Sequence, residues 1–153
     1  MGRPKALLPI RSRTFLENIL DAISHTSIED TIVVVGHHRE QIERSLRLPS
    51  VVFNPVYEQG MITSFQAGIR ALSWDTTGAF LFLVDHPLVE PVTIEAMIMN
   101  LAPNRIVLPT FEGRRGIRSS SHRRFWKKSL PCLLRRELMS WFARIRPELW
   151  KCR

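Results

Sequence analysis

A lysine ahead of a helix, an acid closing an apolar run, and a loop of glycine and hydroxyls are the groups here whose types suit chemistry. Lys5 lies in MGRPKALLP, where an ammonium at a helix approach can neutralise phosphate oxygens as a point charge. The same lysine also fits a plain solvated surface position. Asp85 ends GAFLFLVD and precedes His86-Pro87. A carboxylate there could hold Mg²⁺, a hard cation that prefers oxygen ligands, or it could cap a turn before the proline. The run NPVYEQGMITSFQAGI (54–69) offers Asn54 at a strand end, Gly60 where backbone must approach closely, and Thr63 or Ser64 in a first helical turn. Such a helix start suits an anion, although an N-cap alone would explain the hydroxyls. His37 and His38 are adjacent, so as metal ligands from a helix start they would point different ways. No Ser-His-Asp set and no HExxH pattern is recognisable.

Those groups need elements to position them. RTFLENILDAIS places Phe15, Ile19, Leu20 and Ile23 at helical spacing. TIVVVG (31–36) is β-branched and closed by Gly36, so it reads as a buried parallel strand. HHREQIERSL (37–46) predicts a short helix, VVFN (51–54) a strand, and MITSFQAGIRAL (61–72) a helix with Ile62, Phe65, Ile69 and Leu72 on one face. GAFLFLVD (78–85) predicts the most apolar strand, EPVTIEAMIMNLA (90–102) a helix with Pro91 near its start, and RIVLPTF (105–111) a last strand. Strands alternating with helices at this spacing imply βαβ units and an α/β fold with a mostly parallel sheet. Ligands of such folds bind outside the carboxyl ends of the strands. That rule selects the loop after Gly36, Asn54-Pro55, Asp85-His86-Pro87 and the loop after Pro109. The opening strand and its Gly-rich phosphate loop are expected to precede residue 1.

Composition bounds the function. The chain has 153 residues, of which 44% are hydrophobic and 24% charged, suiting one globular domain. No apolar run approaches the roughly 18 residues a transmembrane helix needs, and no secretory signal is evident, so a cytoplasmic protein without a membrane partner is expected. Cys132 and Cys152 make neither a disulfide framework nor a four-ligand zinc site. The net charge of +8 is uneven. Residues 1–113 carry 9 Lys+Arg against 12 Asp+Glu, whereas 114–153 carry 13 against 2, together with Trp126, Trp141 and Trp150. Such asymmetry ordinarily suggests a basic arm for nucleic acid or membrane.

MGRPKALLPI, TFLENIL, VVVGHH, NPVYEQGMITSFQAGI, LVDHPLVEPVTIEAMI and IVLPTFEGRRG resemble, in order and spacing, the MobA-like nucleotidyltransferases. They look most like the molybdenum-cofactor cytidylyltransferase branch. The resemblance covers residues 1 to about 116. It implies a Rossmann-like, three-layer αβα fold, here lacking the first strand and phosphate loop. It implies transfer of CMP from CTP to molybdopterin, the molybdenum cofactor, with Mg²⁺ and release of pyrophosphate. By resemblance, Lys5 matches the lysine that contacts the triphosphate, Asn54, Gly60 and Ser64 match the nucleotide-site loop, and Asp85 matches the metal-binding acid of a D-x-P segment. Pro4 stands where the guanylyl branch carries Asp, which favours CTP over GTP. A molybdoenzyme or its chaperone is the macromolecular partner so implied, and nucleic acid is disfavoured.

Two departures from the pattern shape the expected activity. Of the family's L-A-A-G-x-S-x-R-M-G opening only Met1-Gly2 remains, and the family's Gly-His-Pro is replaced by Gly116-Ile117-Arg118. Written GGC-ATC-CGC, those codons contain CAT-CCG, His-Pro, one base out of phase. A phase shift thus accounts for both the lost motif and the basic tail, and it divides the chain into a partial nucleotidyltransferase domain, 1–116, and an out-of-frame segment, 117–153. With both pieces altered, impaired turnover is expected. The rival readings are a basic nucleic-acid-binding protein on a dead enzyme domain and an inert gene remnant.

Overall fold

The computed structural model describes residues 2–102, 110–111 and 114–115. A 3₁₀ turn, Lys5–Leu7, opens the chain and buries Ala6 and Leu7. A tight antiparallel hairpin follows, β1 (Pro9–Ile10) on β2 (Arg13–Thr14), with Arg11 in the left-handed region at φ 56°. Helix α1 (Phe15–Ser24) starts at a capping box. The Thr14 hydroxyl accepts from the Glu17 N–H, and the Glu17 carboxylate accepts from the Thr14 N–H. Its buried residues are Ile19, Ala22 and Ile23, the i, i+3, i+4 set of one face.

Strand β3 (Ile32–Val35), helix α2 (Arg39–Ser45) and strand β4 (Ser50–Phe53) form one βαβ unit. The strands pair in parallel from Ile32↔Ser50 to Val35↔Phe53. That register holds the two carboxyl ends level, and the Asn54 N–H extends it by donating to the Val35 carbonyl at 2.9 Å. A second 3₁₀ turn, Tyr57–Gln59, leads through Gly60 into α3 (Met61–Ala71). Where α3 lies against β3, a Cβ on Gly68 would sit 3.2 Å from a Val34 methyl. Helix α4 (Pro91–Met99) starts on its proline, with Ile94 fully buried.

One apolar cluster joins the amino-terminal turn to the βαβ unit. Ala6, Leu7, Val35 and Ile42 form its buried centre, with Leu16, Val33, Leu46, Leu48, Val51 and Val84 packed around them. The chain divides into two compact units, residues 1–95 and 96–153. In the second unit, β5 (Thr110–Phe111) pairs antiparallel with β6 (Arg114–Arg115). Of the strand expected at 105–111, residues 105–109 lie outside the described residues, as does the whole segment 117–153.

The α/β class is as expected, and the helices and the β3–β4 pair lie within two residues of their anticipated bounds, except that α4 ends at Met99, three residues before the anticipated 102. The strand anticipated at 78–85 is different. Residues 76–83 take no regular structure, and a turn follows at Val84-Asp85, closed by the His86 N–H donating to the Leu83 carbonyl at 3.0 Å. An apolar run encodes burial, but a strand exists only where its backbone finds a neighbour to pair with. Among the described residues none pairs with this segment.

Candidate active site

Lys5 and Asp85 stand 80 residues apart in sequence, yet the Lys5 Nζ donates to Asp85 Oδ1 at 2.9 Å. The apolar cluster explains the meeting. Ala6 and Leu7 immediately follow the lysine, Val84 immediately precedes the acid, and all three pack into the same core. Burial of the neighbours carries both charged tips to one place while leaving them in water, at 64% and 55% side-chain exposure. An ammonium and a carboxylate held there can answer opposite charges on a ligand.

His86 follows Asp85 directly. Burial pushes its imidazole below the ordinary value of 6.5, and the Asp85 carboxylate opposes that shift only in part. The strand-end rule selected its segment, Asp85-His86-Pro87, without giving the histidine a role of its own. Its place in D-H-P, beside the acid, was the available signal.

The second group gathers around Asn54, which is 1% exposed. Its Nδ2 donates to Thr63 Oγ1 at 2.8 Å and to Ser64 Oγ at 2.9 Å, and its Oδ1 accepts from the Val56 N–H at 3.1 Å. Thr63 in turn donates to the carbonyls of Gly60 and Val56. These bonds tie the end of β4 to the first turn of α3 across the loop 55–60. Gly60, at φ 108° and ψ 171°, makes the corner, a conformation essentially closed to side chains. The arrangement brings Asn54, Gly60 and Ser64 together, with the polar atoms of Asn54 engaged within the protein. The hydrogen bonds of this group and of the Lys5–Asp85 pair do not join the two.

At the carboxyl ends of β3 and β4, an open cleft of about 490 Å³ is lined by Gly36, His37, His38, Arg39, Phe53 and Tyr57 among others. His37 Nδ1 lies 3.0 Å from the Tyr57 hydroxyl. The Arg39 guanidinium covers the Phe53 ring at 5.2 Å. Gly36 is required by close approach, since a Cβ there would meet Tyr57 Cβ and Cγ at 2.8 Å. No group of three or more His, Cys, Asp or Glu among the described residues could hold a metal ion by itself. A single carboxylate such as Asp85 is the kind of protein ligand that commonly shares Mg²⁺ with substrate phosphates. No helix among the described residues is long and apolar enough to cross a membrane.

Residues 1–149 match the family model of the MobA-like NTP transferase domain. The chain is 27% identical over 98 residues to the bifunctional protein GlmU of Francisella tularensis subsp. novicida, covering 63% of this chain and 21% of that protein. Among solved structures it is similar to Rv0371c from Mycobacterium tuberculosis H37Rv, with TM-score 0.56 and 26% identity over 65% of this chain and 52% of that one. Rv0371c in complex with manganese is similar at TM-score 0.55 and 28% identity, over 64% and 53% of the two chains. The chain thus spans about a fifth of the GlmU relative and about half of the solved chains.

Proposed function

The chain belongs to the MobA-like NTP transferase family, and we propose that its site binds a nucleoside triphosphate and transfers the nucleotidyl group to molybdopterin. In this reading CTP is the donor in preference to GTP, and the product is the cytidylylated molybdenum cofactor. An acceptor phosphate oxygen bonds to the α-phosphorus as the bond to pyrophosphate breaks, and the leaving electron pair goes to pyrophosphate. The Lys5–Asp85 pair at 2.9 Å is the observation that carries the proposal, because it puts a cation and a metal-competent acid at one point. Lys5 would place its ammonium on the phosphate oxygens, and Asp85 would be the residue that holds Mg²⁺. Mg²⁺ when bound supplies charge against the developing negative phosphate oxygens. The Asn54 network keeps the loop before α3 in one shape, so that Ser64 and Gly60 line the nucleotide side. Manganese in an Rv0371c structure supports a divalent cation here. A molybdoenzyme or its chaperone would receive the product in the cytoplasm.

The test is pyrophosphate release from CTP and from GTP with Mg²⁺ and molybdopterin. Impaired but measurable CTP-dependent release that falls further, by about a hundred-fold or more, in Lys5→Ala and Asp85→Asn is the expected result. Release that ignores both substitutions would overturn the assignment of these residues. The charge excess of 13 Lys+Arg over 2 Asp+Glu in 114–153 favours a second reading, a nucleic-acid-binding arm. It requires a steep fall of DNA affinity with salt.

A further inference from the structure

The loop 55–60 joins the end of β4 to the start of α3, and Asn54 ties its two ends together. Between those ends, Tyr57 is half-buried, whereas Pro55, Val56, Glu58, Gln59 and Gly60 are all exposed. The Tyr57 ring lies against Gly36, the residue after β3, so closely that a Cβ on Gly36 would meet Tyr57 Cβ and Cγ at 2.8 Å. The Tyr57 hydroxyl lies 3.0 Å from Nδ1 of His37, 20 residues away in sequence, which is hydrogen-bond range. Ring and hydroxyl therefore hold the middle of the loop to the end of a strand that Asn54 also grips through the Val35 carbonyl. Around this anchor the Gln59 N–H donates to the Val56 carbonyl at 3.0 Å and the Gly60 N–H to the Tyr57 carbonyl at 3.1 Å, which shapes the approach to α3. We propose that Gly36, His37 and Tyr57 are positioning residues that latch this loop onto the end of β3 and so keep Gly60 and Ser64 in the shape that receives the nucleotide. This deepens the nucleotidyltransferase reading and rests on it. The hydroxyl contact is exposed and exchanges with water at little cost, so it contributes a few-fold effect and the ring packing the larger part. The latch acts before any ligand arrives, so its loss loosens the loop in the nucleotide-free chain, which loss of a direct ligand contact does not.

The experiment is backbone amide exchange of the nucleotide-free full chain, followed by calorimetric titration with CTP and Mg²⁺. Tyr57→Phe keeps the ring, and should speed exchange at Gln59 and Gly60 and weaken CTP binding by about three-fold each. His37→Ala should match it, and His37→Asn, whose amide can take the place of Nδ1, should restore both. Tyr57→Ala removes the ring and Gly36→Ala displaces it, so each should change both readouts by about ten-fold. The double variant should be no worse than Tyr57→Ala alone, because the two substitutions act through one contact. Exchange in the β3–β4 pair should stay at the wild-type rate. Loop amides that keep the wild-type rate in Tyr57→Ala, or additive effects of Gly36→Ala and Tyr57→Ala, refute the latch. Exchange that rises equally in β3 and β4 refutes it as well, since the residues would then serve the fold at large. So does unchanged CTP affinity in a variant whose loop has loosened. Loop amides that respond as expected, with no CTP binding by wild type, would leave the loop anchor standing and sink the proposed reaction.

Discussion

Asn54 matches, by family resemblance, the loop lining the nucleotide site, and its own side chain is taken up with holding that loop. In the structure both its donors and its acceptor are engaged, at 2.8, 2.9 and 3.1 Å, inside a site with 1% exposure. Asn54→Ala should therefore destabilise the chain by about 2–3 kcal/mol, because it leaves buried groups unsatisfied. Ser64→Ala, which removes one of these bonds, should cost about 1 kcal/mol. Urea unfolding measures both, and an Asn54→Ala variant of wild-type stability that binds triphosphate poorly would return Asn54 to direct ligand contact. His86 makes a second prediction. Its folded-state pKa lies below 6.5 through burial, so between the two values the unfolded chain binds more protons. Stability then rises with pH across that window, is fully present above about 6.5, and is lost as pH falls through the folded value. His86→Gln should flatten this limb of the stability–pH curve, and an unchanged slope would remove His86 as its source. The Lys5–Asp85 contact itself was beyond sequence spacing, since 80 residues separate the partners. Only a shared core could bring them together.

At the scale of elements, legibility followed how local the signal was. The α1 boundary is written in Thr14 and Glu17, three residues apart, and the helix begins there through a reciprocal capping box. Thr14→Ala should cost about 1 kcal/mol. The Thr14 hydrogen bonds hold the Glu17 carboxyl below its ordinary 4.5, so this cap contributes above that pH and weakens as pH falls through the lowered value. Acid titration of stability in Thr14→Ala against wild type checks both parts. Gly60 was expected for close backbone approach, but an added Cβ would meet nothing within 4 Å, and it is the backbone angle that calls for glycine. At φ 108° it forces the turn between the 3₁₀ segment and α3, and Gly60→Ala should cost about 1–3 kcal/mol. An Ala variant as stable as wild type would show that the loop can reshape. The segment 78–85 is the opposite case. Phe80 and Phe82, with rings 6.4 Å apart, carry the hydrophobicity of a strand, but strand pairing is set by a distant neighbour that no local pattern specifies.

For the whole molecule, the decisive feature is the charge break between residues 113 and 114. It divides a slightly acidic α/β portion from a segment with 13 Lys+Arg and 2 Asp+Glu. The expected boundary at 116/117 and the out-of-frame origin of 117–153 rest on sequence, and that segment, including the helix expected near 133–145, lies outside the described residues. The two accounts of it differ in a measurable way. An out-of-frame tail has had no selection to place apolar residues against the sheet, so its Arg118, Arg123, Arg124, Lys127, Lys128, Arg135 and Arg136 should add self-repulsion without compensating burial. A tail that is an evolved part of the family domain, whose match runs over residues 1–149, should instead supply core contacts. Thermal unfolding of a chain ending at Gly116 against the full chain separates them. Equal or higher stability without the tail is the expected outcome. A loss of several kcal/mol, beyond the roughly 1 kcal/mol of an ordinary single substitution, would make the tail part of the core and end the shifted-frame account.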